Sequence, residues 1–364
     1  MTDSLERIDW RAFLARPALP APSPEALSRL RHQPILVTGA GGSIGSALAL
    51  RLAALQPARL VLLEASESHL YALQRMWHEA ALDVPTTFLL GSASDHTLLD
   101  EIFSLHAPRI VFHAAAFKHV PLMEEQPLAA IANNVFGTQA LVSASAAHTA
   151  RVILLSTDKA VEPSSIMGAT KRVAEQIVLA AHGTVLRLGN VLASRDSVAE
   201  VFAHQIARGG PITVTDPAAR RYFLTLDEAA SLLLTAACEP ALLTPALPAP
   251  HFIADLARFM ATTLAPGRDI PIEFTHPRPG DKEVEHLVAS SERAQPAQAA
   301  GLLRVESPAL QHAELHSKLT ALRAALDARD LATALDSMRA LVPDYTPSPA
   351  LLALATQSRP RVAP

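Results

Sequence analysis

The chain has 364 residues, 49% hydrophobic and 18% charged, a globular composition long enough to bury a large core in one domain or two. A formal net charge of −4 argues against a general nucleic-acid binder, whose electrostatic footprint is basic. Cys238 is the single cysteine, so no intrachain disulfide can form and a reducing, cytoplasmic setting is expected.

The first residues, Met1 to Arg7, carry acids and lack the apolar stretch of a secretion signal. No uncharged apolar run approaches the roughly 18–20 residues that span a bilayer, and Arg51 interrupts the best early one. Residues 1–33 read as an arm: a helix-compatible piece around Leu5–Leu14, then a proline-rich segment from Pro17 to Pro24 that favours extended chain.

From Gln33 the pattern becomes regular. Ile35-Leu36-Val37-Thr38 predicts a strand, followed by Gly39-Ala40-Gly41-Gly42-Ser43-Ile44-Gly45 and an Ala/Leu helix. Glycines here permit a tight turn and close approach to a pyrophosphate, and the helix N-terminus offers free N–H groups to phosphate oxygens. A lone glycine pattern is weak. Between a strand and a helix, in a repeating βα series, it predicts a dinucleotide site with Gly39, Gly41, Gly42, Ser43, Ile44 and Gly45 as contacts.

The second strand, Leu60-Val61-Leu62-Leu63, ends in Glu64, roughly 20 residues past the turn, where an acid accepts from the adenosine ribose and repels a 2′-phosphate. NAD is therefore expected over NADP, although nearby Ser66 leaves NADP open. Thr87-Phe88-Leu89-Leu90 predicts a third strand. Asp95 just beyond it is expected near the adenine, as the N-cap of a helix over 96–105, or as both. A fourth strand, Arg109–Phe112, runs into His113-Ala114-Ala115-Ala116-Phe117-Lys118-His119. Ala114, Ala115 and Ala116 would let a cofactor lie against the backbone, while Lys118 and His119 would face the cleft mouth as substrate contacts. Asn134, an amide in an otherwise apolar helix, is expected to brace neighbouring strands.

Val152-Ile153-Leu154-Leu155 is a buried-strand pattern that delivers Ser156-Thr157-Asp158-Lys159 at its carboxyl end, where open α/β sheets bind ligands. Met167 and Lys171, four apart, share a face of the following helix. Thr184–Leu188 is a sixth strand, closing on Gly189-Asn190-Val191. These alternations predict an α/β fold: a Rossmann-like, doubly wound parallel sheet over 34–190, with parts of 200–260 returning to it. A smaller, mostly helical and discontinuous substrate-binding region would cover 191–347, leaving 348–364 as a tail. Arg221 and Arg278 place forked cations in loops, a geometry suited to a diphosphate.

The runs Val37–Gly45, His113–Glu124, Asn134–Thr138, Ser156–Lys171 and Arg278–Lys282, taken together, resemble the extended short-chain dehydrogenase/reductases of polysaccharide biosynthesis. More narrowly they are similar to the CapD-type 4,6-dehydratases acting on UDP-N-acetylglucosamine, over about residues 9 to 347. Many members carry an N-terminal membrane region; this chain resembles the short, soluble form. The superfamily's usual pair is a Tyr with a Lys four residues on, and Met167 occupies the Tyr position here, a variant shared with that dehydratase branch.

The resemblance implies that Asp158 protonates the departing O6, Lys159 takes the C5 proton, Thr157 holds the C4 oxygen and Lys171 fixes the nicotinamide ribose. Lys159 would then need to be neutral, its pKa depressed by burial and by cationic Lys171. Asn190, Arg221 and Arg278, with Lys118 and His119, are the implied contacts to a UDP-sugar. A homo-oligomer and no metal are expected. After Asn190-Val191-Leu192 the family has Gly-Ser-x-Gly-Ser-Val-x-Pro, whereas this chain has Ala193-Ser194-Arg195-Asp196-Ser197-Val198-Ala199-Glu200. Asp196 and Glu200 would stand near a diphosphate, with Arg195 compensating. The family's Asp-Met-Gly strand is missing or shortened near 242–250. Two other functions fit the same scaffold: a UDP-sugar 4- or 5-epimerase, and a catalytically silent cofactor-binding regulator.

Overall fold

A computed structural model describes residues 5, 7–308 and 310–357. Nine strands form one sheet: β1 (Pro34–Thr38), β2 (Arg59–Glu64), β3 (Thr86–Leu90), β4 (Ile110–His113), β5 (Arg151–Thr157), β6 (Thr184–Leu188), β7 (Leu242–Pro245), β8 (Arg293–Pro296) and β9 (Leu302–Glu306). Their order across the sheet is β8-β9-β7-β6-β5-β4-β1-β2-β3. Strands β1 to β7 run parallel, whereas β9 pairs antiparallel with both β7 and β8. The chain winds outward from β1 through β2 to β3, then returns to place β4 on the other side of β1. That reversal opens a crevice at the carboxyl ends of β1 and β4, the place where doubly wound sheets bind ligands.

Strand alternation sends neighbouring residues to opposite faces. Leu36 and Leu154 enter one core with helices α3 (His96–His106), α4 (Gly137–Ala147), α5 (Ile166–Ala180), α9 (His312–Asp327) and α10 (Leu331–Leu341). Ile35, Val37 and Ile153 enter the other, against α1 (Ser43–Ala53), α2 (Glu67–Glu79) and α7 (Leu226–Ala236). A third, smaller core joins Phe13 and Leu14 to α6 (Val198–Ala207) and α8 (Ile253–Leu264). The N-terminal arm is thus a packed strap, with a helix over Trp10–Leu14 and Arg16 paired to Glu228 at 2.7 Å.

Three features depart from expectation. The C-terminal region is not only helical, because it adds β8 and β9 to the main sheet. Residues 349–357, expected as tail, form helix α11 (Pro349–Gln357), with Leu351 fully buried. Arg220–Arg221 lies in a two-residue strand rather than a loop, while the strand near 242–250 takes the shortened form expected of it, as β7.

Candidate active site

A cleft of about 990 Å³ runs along the carboxyl edge of the sheet, from the glycine turn to Arg278. The turn is glycine by necessity. Gly39 has φ +67, and a Cβ there would lie 2.6 Å from the Ala115 nitrogen; one at Gly45 would lie 2.1 Å from the Gly39 carbonyl. Gly42 caps α1 with no side-chain hydrogen bond, leaving the first turn of the helix open to the cleft that Ser43 and Ile44 also line. Gly41 is different. It lies outside the cleft wall, its N–H donating to Glu64 Oε2 at 2.9 Å and its carbonyl accepting from Arg195 Nη1 at 2.8 Å.

Glu64 ends β2 on the cleft wall, and its other oxygen accepts from the Ser66 N–H at 3.0 Å. Asp95 is not part of the wall. It caps α3 by accepting from the Leu98 N–H at 3.1 Å, and Ser92, Ala93 and Ser94 line the cleft instead. Ala114, Ala115 and Ala116 form the shelf opposite the glycine turn. An uncapped helix start, a turn that admits no side chain, an acid at the end of β2 and an alanine shelf together fit a dinucleotide.

At the end of β5, Thr157 Oγ1 donates to Asp158 Oδ1 at 2.9 Å. Lys159 Nζ donates to the same oxygen at 2.9 Å and to Asn190 Oδ1 at 3.1 Å. Thr157 and Lys159 line the cleft; Asp158 stands behind them, fully buried, with Oδ2 unpartnered. The expected depression of the Lys159 pKa by Lys171 is overturned. Burial pulls it down, but the Asp158 carboxylate, then Glu285 and the hydrogen bond to Asp158, outweigh burial and the repulsion of Arg221, so the pKa is raised. Lys159 therefore rests as the ammonium.

Helix α5 is brought against this pair by Gly168, where a Cβ would lie 2.2 Å from the Lys159 carbonyl. Ser165 caps it by accepting from the Gly168 N–H at 3.1 Å, and Glu124 accepts from the Ile166 N–H at 2.7 Å. Met167 and Lys171 both face the cleft. Lys171 Nζ donates to the Leu155 carbonyl at 2.8 Å, and burial pulls its pKa down to about 8 against the attraction of Glu175.

His113 also reaches the wall. Its Nδ1 meets Thr38 Oγ1 at 2.7 Å and its Nε2 meets Thr138 Oγ1 at 3.0 Å. Because the Thr138 hydroxyl already donates to the Asn134 carbonyl, Nε2 must carry the proton. Burial, with Lys171 nearby, pushes the His113 pKa down to about 3.

Of the expected substrate contacts, Lys118 donates to the Arg195 carbonyl at 2.6 Å, and His119 faces Asp196 at 3.7 Å. Asn134 lies on a π-helical turn, Ile131–Phe136, and clamps both backbone groups of Phe117 at 2.8 and 3.0 Å, so it braces a loop rather than a strand. Arg221 lines the cleft with two of its nitrogens held by the carbonyls of Arg220, Lys282 and Glu283, and Arg278 pairs with Asp281 at 3.0 Å.

Sequence reasoning missed a buried cluster directly beneath Ser156. Glu175 accepts from Ser156 Oγ, from Arg187 and from Arg172, and Glu292 pairs with both arginines at 2.6 and 2.9 Å. Arg187 has no exposed surface. Burial would raise the Glu292 pKa, but the Arg187 guanidinium holds it down at about 2. The readable signal was an arginine inside the apolar strand Thr184–Leu188, which requires buried acids as partners.

With this geometry in place, comparison with known proteins is informative. Residues 35–307 match the family model described as polysaccharide biosynthesis protein. The capsular polysaccharide biosynthesis protein CapD of Staphylococcus aureus is 36% identical over 303 residues, 80% of this chain and 51% of that protein, so the chain spans about half its length. A UDP-glucose 4-epimerase of Rickettsia canadensis is 33% identical over 277 residues, 71% of this chain and 79% of that protein. Among solved structures, Pen from Bacillus thuringiensis superposes with a TM-score of 0.69 at 26% identity, covering 80% of this chain and 98% of that one. Among the described residues no helix is long and apolar enough to cross a membrane.

Proposed function

The chain belongs to the polysaccharide biosynthesis protein family, and from that premise and the cleft geometry we propose that it is an NAD-dependent nucleotide-sugar 4,6-dehydratase acting in the cytoplasm on a UDP-hexose such as UDP-N-acetylglucosamine. The observation that carries this reading is the convergence of Thr157, Lys159, Met167 and Lys171 on one cleft, with Asp158 buried behind Lys159. A pure cofactor binder needs the glycine turn and Lys171, and has no use for a cleft lysine held by a buried aspartate at the strand end.

Gly39, Gly42, Ser43, Ile44, Gly45, Glu64 and Ala114 to Ala116 would hold the cofactor, and Lys171 its ribose. When bound, NAD supplies a hydride acceptor for C4 and a hydride donor for C6 of the sugar. Met167 cannot move a proton, so proton chemistry falls to the end of β5. The ammonium of Lys159 and carboxylate of Asp158 exchange a proton across their 2.9 Å bond once substrate excludes water, leaving a neutral amine. That amine takes the C5 proton, then delivers it to O6 so that water departs. Asp158 returns its proton to Lys159, which protonates C5 as the hydride reaches C6, and the proton released from the C4 hydroxyl on oxidation restores the Lys159 ammonium. Asp158 thus becomes a proton store rather than the acid that touches O6. Thr157 orients the C4 oxygen, and Lys118, His119, Asn190, Arg221 and Arg278 surround the UDP-sugar.

Incubation with UDP-N-acetylglucosamine in deuterated water tests this. The proposal requires loss of one water and a single solvent deuterium at C5. No reaction across UDP-hexoses, with NAD still bound, would instead identify a silent binder. The Rickettsia relative favours the epimerase as second reading; a product isomeric with its substrate, with no water lost, would establish it.

A further inference from the structure

We propose that Arg195 binds the cofactor pyrophosphate, and that the turn over residues 193–197 is a clasp that keeps the cofactor in place between turnovers. This rests on the dinucleotide reading of the cleft. The turn crosses from one wall to the other. On the cofactor side, Arg195 Nη1 donates to the Gly41 carbonyl at 2.8 Å and the Arg195 N–H donates to Ser43 Oγ at 2.9 Å. On the substrate side, Lys118 Nζ donates to the Arg195 carbonyl at 2.6 Å.

Charge balance singles out this residue. A dianionic pyrophosphate at the start of α1 meets only about half a positive charge from the helix dipole. Of the other cleft lysines and arginines, Lys118 donates to the Arg195 carbonyl, Lys159 is paired with Asp158, Lys171 is turned to Leu155, Arg221 holds backbone carbonyls and Arg278 pairs with Asp281. Among the described residues, Arg195 is the one cleft-lining cation with hydrogen bonds to the glycine turn. A single one of its donors is committed there, leaving the rest of a planar fork suited to two phosphate oxygens.

The turn is also held in a costly shape. Ala193 and Asp196 both have φ 57, a region non-glycine residues rarely occupy. Side-chain hydrogen bonds hold it, from Ser194 Oγ to the Val191 carbonyl at 2.7 Å and from the Asp196 N–H to Glu200 Oε2 at 2.5 Å, together with a backbone bond from the Ser197 N–H to the Ser194 carbonyl at 3.2 Å. Backbone strain maintained beside a guanidinium with donors still free indicates that the placement of Arg195 matters.

The test is NAD affinity and dissociation rate, by calorimetry and a chase with unlabelled cofactor, in wild type, Arg195→Ala and Arg195→Lys, with UDP affinity as control. Arg195→Ala should weaken NAD about 10- to 100-fold, as expected for losing charged hydrogen bonds, and release it faster. UDP binding should stay unchanged, and Arg195→Lys should fall between. Wild-type NAD affinity in Arg195→Ala, or equal loss of UDP binding, overturns the inference alone. Failure of the wild-type chain to bind NAD overturns the cofactor reading and the clasp with it.

Discussion

Two groups of paired charge lie side by side at the carboxyl end of β5, and they are built to opposite ends. In the cluster of Arg172, Glu175, Arg187 and Glu292 both carboxylates accept from more than one donor, and the cluster lies off the cleft wall. In the pair Asp158–Lys159, one carboxylate oxygen has no partner and the ammonium looks into the cleft. Saturation fixes a structure, whereas an incomplete set of partners leaves a proton free to move. The two are adjacent in sequence as well, since Ser156 donates to the cluster and Thr157 to the pair.

The largest effect should come from breaking the saturated cluster. Arg187→Leu strands Glu175 and Glu292 in the interior with Arg172 alone, and should destabilise the fold by roughly 3–5 kcal/mol in urea unfolding. A loss below about 1 kcal/mol would mean the cluster is not structural.

His113 offers a sharper contrast, because it stands on the cleft wall yet has both ring nitrogens bonded. Its folded pKa of about 3 lies below the ordinary value of 6.5, so the unfolded chain binds more protons between them. Stability should therefore fall as pH drops from 6.5 towards 3, by roughly 1.4 kcal/mol per pH unit from this group. His113→Gln should flatten that part of the unfolding profile; an unchanged slope would place the titration elsewhere.

The smallest effect is expected at the boundary. Ser156→Ala removes one hydrogen bond to Glu175 and should lower stability by about 1 kcal/mol with turnover nearly unchanged. A large loss of turnover would move Ser156 to the chemical side.

Much of this was legible in the chain. Strand–glycine–helix order, the acid ending β2 and the motif from Ser156 to Lys171 located the sheet, the crevice and the strand end, because local periodicity and backbone necessity write directly into sequence. What stayed hidden depends on contacts between distant segments. Glu292 and Arg187 lie 105 residues apart, and nothing near either names the other. The antiparallel β8–β9 hairpin carries a fully exposed strand, Arg293–Pro296, without apolar alternation to announce it. The charge state of Lys159 was misjudged for the same reason. Its field is set by Glu285 as well as by its neighbour Asp158, and spacing could not reveal that. Asp95 shows the reverse, a motif position whose local capping role is the one the geometry displays.

The central claim is that the incompletely bonded pair does the chemistry, and Lys159→Gln tests it most directly. Glutamine keeps a donor for Asp158 and Asn190 but cannot carry a proton. Turnover of the UDP-sugar, bound NAD and melting temperature should be measured on one preparation. The account predicts turnover lowered on the order of 10²–10⁴-fold, with NAD content and melting temperature near wild type. Turnover at the wild-type rate would contradict it.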